Sequence, residues 1–386
     1  MRYLFFVFCF AIAFANCKSD KGKEQQTGVK IYETRVGEQA ISIAIDPDKA
    51  TGGKASDIID AESIEFIPLE TTEASLVGSI RLMKWYDGVC YIHDDTQQVI
   101  QVFSDKGKHL RSLSRLGRGP HEYTEINDFV VEKDSLIVLD FAQLLYYNKN
   151  DFSYIKTKPL GPLGIGAFSL HVDKNYFYFH SSDVKAIKAN VILTDKNLEV
   201  KSALLSIDYP YMTATPYPFV TFGEQVFYYK YMNDTLYQVT EKGLIASYFF
   251  DGGKDMVNLI EYQKLPIIEG MIGRIRQLPP KGFMPPFPVF FIDSTFAFRF
   301  GQKGRQGLYS LRSGEIRVFA SEKVIRDIPD IGYLVGRISD GEYAYNYVSP
   351  DELRRMNGGK EYRSPVLKNI KEDDNPIVIK FKYKRF

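Results

Sequence analysis

Three cysteines, one tryptophan and five histidines are all that 386 residues contain, and each scarcity excludes something. Cys9 sits inside an apolar leader, Cys17 directly behind it and Cys90 in the apolar stretch GVCYIHD. The one thiol beyond the leader region cannot build a disulfide framework, and Cys90 reads as a small core residue rather than a nucleophile. The histidines form no H-x-x-x-H or H-E-x-x-H pair, which argues against a zinc hydrolase. No G-x-S-x-G elbow appears, so the commonest serine-hydrolase signature is missing. Neither sign of charge is in excess: 49 basic residues face 48 acidic ones. A nucleic-acid partner, which needs a basic surface, therefore finds no support.

Long hydrophobic runs are missing too. Arg2 precedes YLFFVFCFAIAFA, an apolar stretch of about a dozen residues, too short to span a bilayer and suited to the core of a signal peptide. Residues 1–16 are assigned to that leader. Cys17 behind it resembles the lipobox cysteine of bacterial lipoproteins, although Phe14 and Asn16 are imperfect lipobox residues; Ala13–Ala15 offers an ordinary A-x-A cleavage site as the alternative. Lipidation of Cys17 would hold the protein on a membrane surface without spanning it. The polar KSDKGKEQQTG that follows reads as a flexible tether, and residues 17–60 are assigned to tether and N-terminal extension.

Aromatic side chains are abundant, with 28 Phe and 26 Tyr, and strands favour them. Six segments align, among them SIRLMKWYDGVCYIHDD, INDFVVEKDSLIVLDF and FPVFFIDSTFAFRFGQ. Each has an apolar run, a polar turn and a second apolar run, with turns at Asp87-Gly88, Lys133-Asp134, Asp173-Lys174, Gly223-Glu224, Asp293-Ser294 and Asp340-Gly341. Such spacing predicts hairpins. Five of them are followed by a second hairpin, and a four-stranded unit recurring roughly every 40 to 50 residues matches a propeller blade. The sixth unit has only NPIVIKFKYK after the segment SPDELRRMNGG, which reads as a helix. Its missing partner is ESIEFIPLETT, residues 62–72, which would close the ring and remove its exposed edges. The predicted fold is all-β: a six-bladed β-propeller of four-stranded antiparallel blades over 61–386, closed by that N-terminal strand. A β-sandwich leaves six aligned hairpins unexplained.

ESIEFIPLETTEASLVGSI, LGRGPHEYTEINDF and DDNPIVIKFKY together resemble the six-bladed, NHL-like propeller lipoproteins of Bacteroidota, from about residue 60 to the C-terminus. The resemblance implies fold and address more than activity. It makes an outer-membrane lipoprotein, lipidated at Cys17, the expectation.

In an up-and-down blade, the loops between second and third strands share one face with the connectors between blades. LGRGPHEY falls on that connector face, and Arg118, His121, Glu122 and Tyr123 are its candidate ligand contacts. As a phosphate loop it lacks the Lys-Ser/Thr and the helix a P-loop needs. The long connector within 251–288 adds Arg274, Arg276 and Phe283; long ordered loops are usually functional, and this one reads either as a lid over the channel or as a packed excursion. Aromatic and arginine-rich rims suit sugars or anionic groups. Asp94, Asp95, Asn127, Asp128 and Asp140 are oxygen donors whose spacings specify no shared metal site, and strand-end aspartates more often cap turns. Neither a metal nor another cofactor is expected. The leading reading is an exported, lipid-anchored binding or scaffold protein for a glycan, peptide or envelope protein. The alternative is a propeller enzyme, a lactonase-like hydrolase or polysaccharide lyase, acting at the channel mouth.

Overall fold

The computed structural model describes residues 30–181, 187–207, 217–230, 233–257, 283, 286, 289–300, 305–331, 336–359 and 361–386; the leader and Cys17 lie outside them. In chain order, four strands come before the first hairpin: β1 (Ile31–Tyr32), β2 (Thr34–Ala44), β3 (Thr51–Lys54) and β4 (Ile59–Pro68). Blade one follows as β5 (Ile80–Tyr86), β6 (Val89–Asp94), β7 (Val99–Phe103) and β8 (His109–Leu113). Blade two is β9 (Asp128–Glu132), β10 (Ser135–Asp140), β11 (Gln143–Asn148) and β12 (Tyr154–Pro159). Blade three is β13 (Ser169–Val172), β14 (Tyr176–His180), β15 (Ala189–Asp195) and β16 (Val200–Ser206). Blade four is β17 (Phe219–Phe222), β18 (Gln225–Tyr229), β19 (Thr235–Thr240) and β20 (Gly243–Asp251). Blade five is β21 (Val289–Ile292), β22 (Thr295–Phe300), β23 (Arg305–Ser310) and β24 (Ile316–Ile325). Blade six holds β25 (Ile338–Ser339), β26 (Ala344–Val348) and β27 (Ile377–Tyr383), and takes β4 as its outer strand.

The predicted six-bladed ring is therefore the observed one, and its closure is explicit. β27 pairs antiparallel with β4 from Ile377 opposite Pro68 to Tyr383 opposite Ile59. The strand starts three residues before the predicted Glu62, and Leu69–Thr72 leave it. The hairpins obey local chemistry: Asp87 and Gly88 both have positive φ, 50° and 75°, as a two-residue turn that follows the strand twist requires. The apolar core of the described residues falls into six clusters, one per blade junction. Cys90 belongs to the junction of blades six and one; it is fully buried, and burial raises its thiol pKa. The expected helix is present at Pro350–Met356, where the Ser349 hydroxyl accepts the Glu352 N–H at 3.2 Å in an N-cap.

The N-terminal extension holds more than its sequence announces. β1 lies parallel to β16, β2 to β20 and β3 to β24. Residues 31–68 thus run round the rim as one belt, a fifth strand for blades three, four and five and then the fourth strand of blade six. Each pairing occupies backbone groups that an outer strand would otherwise present to water or to another chain.

Candidate functional site

Inner strands of a propeller leave one edge of unpaired backbone facing the axis, and side chains satisfy part of it here. Lys84 Nζ on β5 lies 2.5 Å from Asp128 Oδ1 and donates to the Phe129 carbonyl at 2.7 Å. Asp128 Oδ2 accepts the Leu170 N–H at 2.8 Å. One ion pair therefore staples blades one, two and three. Burial alone would depress the Lys84 ammonium, but Asp128 and Tyr86 beside it hold its pKa above the ordinary value. Breaking such a pair by removing one partner costs about 3–5 kcal/mol, because the other charge stays buried.

Tyr217, just before β17, reaches across the bore to blade one. Its hydroxyl accepts the Met83 N–H of blade one at 2.9 Å and faces the Met83 carbonyl at 3.4 Å. Burial pushes its pKa up. What remains is a cavity of about 260 Å³ lined by all the inner strands except β21. His171, Thr221 and Asp340 stand toward the hairpin-turn ends of their strands, and Asp128 and Tyr217 toward the connector ends.

His171 stands in the cavity wall between Tyr178 and Phe219, ring centroids 5.5 and 6.1 Å away. Burial first, then the Lys84 charge, lowers its pKa to about 4. The imidazole is therefore neutral at physiological pH, and its buried Nε2 meets no partner among the described residues. Trp85 stacks on Tyr345 at 4.6 Å, and its indole N–H is likewise unpartnered. Asp340 is committed to its own turn, accepting from the Glu342 and Tyr343 N–H groups and from the Tyr345 hydroxyl. The sequence names Asp128 as an oxygen donor and Asp340 as a turn residue, and it singles out none of the other cavity residues. The available signal was a lysine inside the apolar run SIRLMKWY and an aspartate heading DFVV.

The residues that were singled out stand elsewhere. Tyr123 is fully buried; its hydroxyl faces the carbonyls of Gln98 and Leu113 at 2.8 and 3.1 Å and accepts the Arg115 N–H at 3.1 Å. It ties the end of β8 to blade two and has no freedom to meet a ligand. Glu122 turns back on its loop to accept the Gly119 N–H at 2.7 Å. That carboxylate lies against Gly117, so a side chain there would displace it. His121 stacks on Tyr154 at 3.9 Å, and Arg118 is exposed. None of the four lines the axial cavity; LGRGPHEY sits at the junction of blades one and two, with Tyr123 in its core. Phe283 is a core anchor, buried beside Phe300 and bridged to Met256. Arg274 and Arg276 lie outside the described residues.

Three of the oxygen donors, Asp94, Asp140 and Asn127, are capping groups, while Asp128 pairs with Lys84 and Asp95 with Arg81. Asp94 accepts from the N–H groups of Gly78, Ser79, Thr96 and Gln97. Asp140 holds Thr124 and Gln143, and Asn127 holds the Phe141 N–H. No cluster of three metal-ligating side chains occurs among the described residues, and no described helix is long and apolar enough to cross a membrane.

Fold and axis define a closed six-bladed propeller with an axial cavity whose walls include Trp85, Tyr86, Tyr217 and Phe219. The family model of a domain of unknown function, DUF4934, matches residues 39–382, and the chain belongs to that family. No curated protein matches the sequence. Among solved structures, a Bacteroides fragilis protein assigned as exported superposes with a TM-score of 0.71 at 18% identity, covering 89% of this chain and all of that one. A member of the DUF4221 family from Bacteroides vulgatus gives 0.50 at 14% identity, over 86% of this chain and all of that one. These likenesses concern the fold.

Proposed function

We propose that this chain is an exported, lipid-anchored propeller that binds a glycan, peptide or protein partner at the cell envelope, with the axial cavity as its recognition site. The observation that carries the reading is the state of the bore. Tyr217 reaches across it to Met83, and the Lys84–Asp128 ion pair serves as wall, which leaves an axial pocket among the described residues. A hydrolase or lyase needs a base poised beside a nucleophile or a substrate proton. Lys84 is spent on Asp128, and among the described residues the His171 Nε2 meets no partner that would activate or orient the ring. The leader, with Cys17 behind it, and the exported assignment of the Bacteroides fragilis relative support the location, with the outer membrane as the address.

The test is a thermal-shift screen of glycans and metabolites on the native protein and on Thr221→Trp, whose indole fills the cavity mouth. A compound that stabilises only the native protein and is recovered unchanged supports binding. Release of reducing ends, unsaturated uronate or opened lactone, dependent on Lys84 or His171, would replace this reading with the enzymatic one. Cys17→Ser checks the address: the protein should leave the membrane fraction, and unchanged association removes the lipid anchor.

A further inference from the structure

The chemistry of the cavity narrows what it can hold, and this step rests on the binding reading above. Its walls carry four aromatic side chains, Trp85, Tyr86, Tyr217 and Phe219. Its charges are already engaged: Lys84 lies against Asp128 and the Phe129 carbonyl, and Asp340 is held by two backbone N–H groups and the Tyr345 hydroxyl. A charged ligand would therefore lose hydration without meeting an opposite charge, which is costly in a secluded site. The other wall groups able to hydrogen-bond are uncharged, namely the His171 imidazole and the hydroxyls of Thr221 and Ser339. Aromatic rings with a few neutral hydrogen-bonding groups suit a ring that is apolar on its faces and hydroxylated on its edge.

We propose that the cavity takes one uncharged, hydroxyl-bearing ring, the chemistry of a neutral sugar residue, entering from the hairpin-turn face. The volume of about 260 Å³ admits a single ring rather than a chain. An adjoining depression of about 510 Å³ shares Trp85, Tyr86 and Asp340 with it and adds Asp87, Lys133, Lys149 and Glu342. Further units of a longer ligand extend into that charged rim, where water remains.

The probes are methyl glycosides of glucose, galactose, mannose and N-acetylglucosamine, with glucuronate and glucosamine as charged counterparts. Binding to the purified protein is read by saturation-transfer NMR and calorimetry. At least one neutral glycoside should bind about tenfold more tightly than its charged counterparts. Thr221→Trp should abolish that binding, and His171→Phe should weaken it about fivefold to tenfold with the melting profile retained. His171→Gln, which restores an uncharged hydrogen-bonding group, should recover part of the loss. If His171→Phe unfolds, Ser339→Ala at the same wall serves, with a smaller loss expected. Preference for glucuronate or glucosamine, abolished by Thr221→Trp, overturns the neutral-ring assignment and leaves cavity binding intact. Absence of any Thr221-dependent glycoside binding also overturns it, and the wider library screen then decides whether the cavity binds another class.

Discussion

Blades three to five and blades one and two solve the same edge problem in opposite ways. The outer strands β16, β20 and β24 run 7, 9 and 10 residues, with apolar stretches such as ALL, SYFF and RVFA. Each is covered by a parallel strand of the belt. The outer strands β8 and β12, HLRSL and YIKTKP, run 5 and 6 residues and stay uncovered. Short length, Arg111, Lys156, Lys158 and Pro159 blunt them instead, devices that natural sheets use against edge-to-edge association. Long apolar edges need cover; short charged ones protect themselves.

The severest way to break this comparison is to remove residues 59–68, the stretch where the belt becomes a blade. Without β4 the ring cannot close, and the cooperative melting transition should be lost; an unchanged transition would refute closure. Beginning the chain at residue 55 strips only the covered half. The melting temperature should fall by on the order of 5–10 °C, and light scattering should show concentration-dependent association.

Acid reaches both halves through buried histidines, His93 in blade one and His171 in blade three. Burial lowers both pKa values from 6.5 to about 4. Above pH 6.5 both states are neutral and contribute no difference. Below it the unfolded chain takes up protons that the native one refuses, so stability falls between pH 6.5 and 4. Each histidine accounts for on the order of 2–3 kcal/mol of that fall. Denaturant titrations across that range read it directly, and a flat profile contradicts the burial.

Within the uncovered half, Tyr123→Phe should cost about 1–2 kcal/mol by orphaning strand-end backbone groups. The pair Arg118→Ala and His121→Ala should stay within about 0.5 kcal/mol. Equal effects in chemical denaturation would mean that the loop is not organised around Tyr123. Smallest in stability is Lys156→Val with Lys158→Val, which makes β12 resemble the covered strands. Folding should change by a few tenths of a kcal/mol at most, while dimers appear on gel filtration.

The sequence made the hairpins legible because each carries its own turn and alternation, and the closing strand because blade six lacked a partner. The belt was hidden. AISIAI within residues 40–45 is strand-like, but its partner in β20 lies about two hundred residues away and nothing local names it. The cavity was hidden for a related reason: Lys84, Asp128, His171 and Tyr217 come from four blades, and each alone looks like an oddity in an apolar run. LGRGPHEY drew attention because glycine, histidine and arginine suggest chemistry, whereas the loop serves Tyr123 and a tight crossing. Phe283 misled similarly, since an aromatic in an irregular connector can be an anchor as well as a contact.

Amide hydrogen exchange on the intact protein, resolved by residue, tests the division of the rim most directly. Outward-facing amides of β20 and β24 should be strongly protected by β2 and β3, while those of β8 and β12 exchange almost as freely as solvated loops. Equal exchange on the two sides would contradict the belt.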